Sequence, residues 1–146
     1  MSESDVHVRL VEVTLGAIQA WAPHDSLTLW ADHPRSGVYA PPFRIGGADA
    51  DIIAVRRDTD FAIVGEAKTR GDIDNLHTRN QLKDYFEFLV TQPGGLLWFS
   101  VPLGSGGEAL TVTKGVRRKT RCDRVELIVS EWLLGKSEQY EKRWHG

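Results

Sequence analysis

The sequence predicts a mixed α/β (α+β) fold in which a central mixed β-sheet is flanked by helices. Short apolar runs, Ile52-Ile53-Ala54-Val55, Phe61-Ala62-Ile63-Val64 and Leu96 to Val101, are bounded by polar turns and suit strands buried on both faces. Around them, apolar residues recur at helical spacing. The resulting order, helix, strands, helix, strand, helix, strand, packs helices on the faces of one sheet.

Each element has its own warrant. Ser2-Glu3-Ser4-Asp5 is a helix-capping sequence, and Leu10, Val13, Ala17 and Trp21 follow at helical spacing until Pro23. Val6, Val8 and Leu10 also alternate as in a strand, so both readings stay open there. Leu27 to Trp30 reads as a short strand, and Arg35 to Gly47, rich in Pro and Gly, as a loop. Arg56 to Asp60 joins the two central apolar runs as a hairpin. Leu82, Tyr85, Phe86 and Leu89 mark an amphipathic helix from Leu76 that stops before Pro93-Gly94-Gly95. A Gly-rich turn, Gly104-Ser105-Gly106-Gly107, leads to a helix over Glu108 to Lys119, weakened by Gly115 and by Thr111-Val112-Thr113. Val125 to Val129 gives a last strand, and the tail from Leu134 reads as short and polar.

The chain has 146 residues, 41% apolar and 26% charged, which fits one domain over 1–146. No apolar run approaches the roughly 18 residues needed to cross a bilayer, and the first ten residues carry no signal-type segment. The single cysteine, Cys122, excludes an internal disulfide and a Cys-based zinc site, so a cytoplasmic setting is expected. A net charge of −2 argues against coating nucleic acid through bulk charge. A local basic stripe, Lys114, Arg117, Arg118, Lys119, Arg121 and Arg124, is either a phosphate-binding surface or a solvated helix face.

Asp51 and Glu66-Ala67-Lys68 carry the chemistry. Side chains alternate along a strand, so Glu66 and Lys68 project from the face that carries Ala62 and Val64. Asp51 opens the preceding strand, and the hairpin can set its carboxylate beside that of Glu66. Close carboxylates repel, and a divalent cation relieves the repulsion. Oxygen ligands of this kind suit Mg²⁺ or Mn²⁺ over zinc. Asp49 is the competing acid, two residues earlier. His7, His24, His33 and His145 show no metal-ligand spacing, and the Trp residues read as core.

An acidic residue leading an apolar strand, a hairpin, then Glu-x-Lys closing the next strand resembles the PD-(D/E)XK (restriction-endonuclease-like) nuclease superfamily. The resemblance covers about half of the chain, from residue 41 to 90, and Gln81 stands where a site-facing Gln often follows in that superfamily. Ala48-Asp49-Ala50-Asp51 replaces the usual Pro-Asp. The resemblance implies a restriction-endonuclease-like core that hydrolyses phosphodiester bonds in DNA. Asp51, Glu66 and the Ala67 carbonyl would ligate Mg²⁺ or Mn²⁺, Lys68 would orient water or stabilise charge, and Gln81 would hold either. Glu12, on the first helix, is the candidate for a further acid. Arg79, Lys114, Arg117 and Arg118 are candidate phosphate contacts, expected on the same face as Asp51 and Glu66. A homodimer would let one site per chain cut both strands. The competing expectation is an inactive nuclease-fold module that binds DNA or a protein.

Overall fold

The computed structural model describes residues 2–22, 26–33, 39–136 and 138–146. Pro23, His24 and the first part of the Arg35–Gly47 loop lie outside these residues. The first helix, α1 (Glu3–Trp21), wins over the strand reading because its N-terminus is fully capped. Ser2 accepts from the Asp5 N–H, and Asp5 reaches back to the Ser2 N–H, which satisfies two otherwise orphaned donors.

Six strands lie in sequence order across one sheet: β1 (Leu27–Ala31), β2 (Ile52–Arg56), β3 (Ala62–Ala67), β4 (Gly95–Pro102), β5 (Glu126–Leu134) and β6 (Gln139–His145). β1, β2 and β3 form an antiparallel meander; β3, β4 and β5 run parallel; β6 returns antiparallel on β5. The β2–β3 hairpin turns as expected, with Asp60 at φ 58, a left-handed conformation that Asp tolerates better than most side chains.

Parallel neighbours need crossovers. The crossovers are α2 (Leu76–Leu89) between β3 and β4 and α3 (Gly106–Lys119) between β4 and β5. Both helices bury their apolar stripes in one core layer with Ile53, Val64, Leu97 and Phe99. On the other face, α1 packs through Leu10, Val11 and Ile18 against Ile52, Ile63 and Trp98. Alternation along β2, β3 and β4 divides the residues between the two layers. In α3 the β-branched run is tolerated because Val112 and Thr113 face the core, where Thr113 donates to the Ala109 carbonyl at 2.7 Å.

The tail from Leu134 is not a short polar end. Residues 139–145 form β6, which the reading by apolar runs missed because its alternation is largely of charged groups. Glu141 accepts hydrogen bonds from Ser130 and, through both oxygens, from Arg143, whose guanidinium lies 4.5 Å from the Trp98 ring centroid. Polar residues can line this edge strand because Glu141 and Arg143 satisfy each other against the sheet. Trp144, on the opposite face, presses against Gly106, where a Cβ would come within 2.5 Å of its ring. Among the described residues, no helix is long and apolar enough to cross a membrane.

A candidate active site at one end of the sheet

Antiparallel register places the two acids. Ile52 pairs with Gly65, so Asp51, one residue before β2, falls opposite Glu66 near the end of β3. Both are buried, at 8% and 3% exposure. Asp51 Oδ2 accepts the Ala67 N–H at 2.8 Å and lies 3.3 Å from His7 Nε2. Glu66 Oε2 accepts from the Tyr85 hydroxyl of α2 at 2.5 Å. The same hydroxyl is 3.2 Å from the Asp49 carbonyl, but its single proton goes to the nearer oxygen.

The electrostatics separate the two carboxyl groups. Burial pushes Glu66 well above the ordinary carboxylate range, and neighbouring Asp51 pushes it further. Burial also pushes Asp51 upward, yet hydrogen bonds from His7, Glu66 and the Ala67 N–H outweigh it and hold Asp51 below that range. The two carboxyl groups are therefore driven apart, Glu66 toward holding a proton and Asp51 toward carrying the charge. The hydrogen bond to Asp51 raises His7 against the opposing effect of burial. Burial, and then Glu66, raise Tyr85, which remains a donor.

Lys68 and Gln81 also meet here: Lys68 Nζ donates to Gln81 Oε1 at 2.6 Å. Gln81 lies one turn before Tyr85 on α2, so a single helix face holds both Lys68 and Glu66. Beside them a surface depression of about 430 Å³ is lined by Glu3, His7, Ala67, Lys68, Thr69 and Asp72. Among the described residues, no group of three His, Cys, Asp or Glu is arranged to hold a metal. A cation would therefore rely on two carboxylates, main-chain oxygen and water, a donor set that fits Mg²⁺ or Mn²⁺.

The other predicted residues lie elsewhere. Asp49 is exposed and paired with Arg44 at 3.3 Å, so the acid brought to Glu66 is Asp51. Glu12 meets His33 Nε2 at 3.0 Å and Arg9 at 3.9 Å, away from Asp51. Of α1, His7 reaches Asp51 and Glu3 lines the neighbouring depression; 44 residues separate His7 from Asp51, so no local spacing could reveal the contact. Tyr85 was legible only as part of an apolar stripe. Arg79 is half exposed and paired with Asp74.

The basic stripe is not on the expected face. α3 leaves β4 at the end of the sheet that carries Glu66 and returns to the start of β5, so its last turn lies at the opposite end. There Arg117 donates to the carbonyls of Val125, at 3.1 Å, and Gly146, at 3.2 Å. Arg124 donates to the Val90 carbonyl. Lys114 and Arg118 share that helix, Lys114 beside Gly146. A parallel crossover must carry the end of its helix away from the strand ends it leaves.

No family model matches this chain, and no curated protein does. Among solved structures, the chain is similar to SfsA of Pyrococcus furiosus, solved in complex with Ca²⁺, at a TM-score of 0.50 and 10% identity. The match covers 97% of this chain and 61% of that protein, so this chain spans about three-fifths of its length. At that identity the likeness is one of fold: a mixed sheet flanked by helices.

Proposed function

We propose that this chain is a metal-dependent nuclease that hydrolyses phosphodiester bonds in DNA. The observation that carries the reading is the buried Asp51–Glu66 pair, two carboxyl groups brought opposite each other at the strand ends beside Lys68. Two carboxyl groups buried side by side repel each other even when hydrogen-bonded, and a cation between them relieves that repulsion. Asp51, Glu66 and the Ala67 carbonyl would hold Mg²⁺ or Mn²⁺. A cation there supplies charge neutralisation at the phosphodiester and a bound water of lowered pKa. Ca²⁺, named with the SfsA structure, prefers the same oxygen ligands.

The chain's own groups do the rest. His7 and the Ala67 N–H fix the Asp51 carboxylate, and Tyr85 fixes that of Glu66. Gln81 steers the Lys68 ammonium, which meets negative charge as it develops on the phosphate. The neighbouring depression gives the phosphate room to approach. Cutting both strands of a duplex would bring in a second copy of the chain.

The alternative, a nuclease-fold module that binds without cutting, draws on the missing third side-chain ligand among the described residues. One experiment separates the two. Duplex, single-stranded, flap and branched DNA are incubated with Mn²⁺ and wild-type or Asp51→Asn protein, and metal-induced thermal shifts are recorded alongside. Cleavage and a thermal shift that both vanish in Asp51→Asn support the nuclease. A thermal shift without cleavage supports the binding module, and neither result leaves the site without a metal role.

A further inference from the structure

The outer edge of the sheet at β6 is open. β6 has seven residues, no proline and, among the described residues, no strand on its far side. One step beyond each end of the β5–β6 ladder, Gly146 donates to the Leu127 carbonyl and Gly135 to the Glu138 carbonyl, both at 2.8 Å. These bonds fix the parity of the strand: its even-numbered residues turn their N–H and C=O groups toward β5. Gln139, Glu141, Arg143 and His145 therefore turn theirs outward, as a row of main-chain groups that a further strand can pair.

Edge strands are commonly guarded by short length, proline or charge. β6 is long and has no proline, so charge is its guard, and the charges have an order. Glu141 and Arg143 lie on the α1 face, where the Arg143 guanidinium covers Trp98 and donates to both Glu141 oxygens. Lys142 and Trp144 lie on the other face with Tyr140, and the Lys142 ammonium stands 4.9 Å from the Trp144 ring centroid. Tyr140 is 62% exposed, and Leu133, opposite it in β5, is 46% exposed. An apolar row thus runs out to the open edge.

We infer that β6 pairs antiparallel with β6 of a second copy of this chain, about a two-fold axis at Lys142, so that two sheets join into one. An antiparallel pair sets outward-facing residues opposite outward-facing ones, so the axis falls on a residue and not between two. An axis at Glu141 or at Arg143 would set that charge against itself. An axis at Lys142 uses the whole strand. Glu141 then falls opposite Arg143 of the second copy, Tyr140 opposite Trp144, and Gln139 opposite His145. The two Glu141–Arg143 pairs close a square of alternating charge on the α1 face, and the Leu133–Tyr140 row continues onto Trp144 of the second copy. Lys142 meets its own copy, the one like-charge contact of this register, but each ammonium keeps its Trp144 ring and has Glu131 opposite it in β5. The same charges repel any strand that lacks an acid where β6 has a base, which selects a second copy over an arbitrary extended peptide. The seam lies three strands from β3, so the inference stands whether or not the Asp51–Glu66 site cuts DNA.

The test is self-association without DNA or metal. Sedimentation equilibrium across the micromolar to millimolar range compares wild-type protein with Tyr140→Glu, Glu141→Arg and Arg143→Glu. Expected are a wild-type dimer and a dissociation constant raised roughly tenfold or more in each variant. Mixing the Glu141→Arg and Arg143→Glu proteins should restore a dimer, because each supplies the charge that the other lacks. Register is read by crosslinking, with the native Cys122 buried and out of reach. Lys142→Cys should form an intermolecular disulfide under mild oxidation, because a non-hydrogen-bonded pair on the axis brings its Cα atoms to roughly 4.5 Å. His145→Cys, set opposite Gln139, should not. Melting temperatures of Tyr140→Glu and Lys142→Cys, taken where wild-type protein is monomeric, should barely move because both side chains are exposed. A wild-type monomer throughout the range overturns the pairing. So does a dimer that all three variants leave intact, which would lie on another surface. Lys142→Cys that fails to crosslink, or crosslinks no better than His145→Cys, overturns the axis at Lys142.

Discussion

Tyr85 and Glu66 are joined by a 2.5 Å hydrogen bond beneath α2, which ties the helix to the acid at the end of β3. The contact does two things. It satisfies a buried carboxyl group, and it aims that group at Asp51. Replacement by Phe keeps the ring in the core and removes only the donor. Tyr85→Phe should lower stability by about 1–3 kcal/mol, because Glu66 loses its partner where water cannot replace it. Urea melts without metal measure this. An unchanged midpoint would mean that Glu66 can turn to another donor.

The opposed shifts of Glu66 and Asp51 give the metal-free protein a distinctive pH dependence. Glu66 is raised in the folded state, so its contribution is fully present below the ordinary carboxyl pKa and is lost as pH rises toward its raised value. His7 is also raised, and its smaller contribution is lost as pH rises through the neutral range. Asp51 is lowered, so its contribution is lost only as pH falls through its depressed value. The metal-free protein should therefore be most stable in mild acid and decline toward alkaline pH. Glu66→Gln should flatten that decline. Under the nuclease reading, the stabilisation by Mg²⁺ or Mn²⁺ should grow as pH rises, because the cation must displace the proton. Melting temperatures across pH, with and without metal, check both slopes.

Lys68 and Gln81 separate metal holding from charge stabilisation. Neither is placed as a ligand, so Lys68→Ala and Gln81→Ala should keep the metal-induced thermal shift. Lys68→Ala should lose about 10²–10³-fold in cleavage rate, the scale of one donor aimed at developing charge. Gln81→Ala should lose less, since Lys68 keeps its charge and loses only its tether at 2.6 Å. Single-turnover cleavage at saturating metal measures the difference. Loss of the thermal shift in Lys68→Ala would show that the side chain supports the metal site itself.

How much of this was legible depends on the range of the signal. The β2–β3 hairpin, α2 and the strand runs follow from local periodicity, and the hairpin alone carries Asp51 to Glu66. Gln81 was legible because it stands one helical turn from Tyr85. His7 was not, because its contact with Asp51 is made by packing α1 across the sheet. β6 was missed because an edge strand can be lined by charges once Glu141 pairs with Arg143 and accepts from Ser130. The basic stripe was misplaced for a topological reason: charge can be read along a sequence, but the end of the sheet on which it falls is set by the crossover.

That misplacement yields the last prediction. At the end of α3, far from Glu66, the stripe cannot share a scissile phosphate with Asp51. Arg117 is already engaged, closing the Val125 and Gly146 carbonyls where β5 begins and β6 ends. The double substitution Arg117→Ala with Arg118→Ala should leave DNA affinity unchanged, along with the slope of log affinity against log salt. Stability should fall, by about 1–3 kcal/mol, because two carbonyls lose a charged donor. Arg118→Ala alone should do neither. Affinity measured at several salt concentrations, alongside urea melts, distinguishes the outcomes. A fall in salt slope of about one unit per residue removed would restore these side chains as phosphate contacts and imply that DNA wraps the molecule from end to end. With the slope unchanged and the stability lowered, Arg117 is a clasp between α3 and the last two strands.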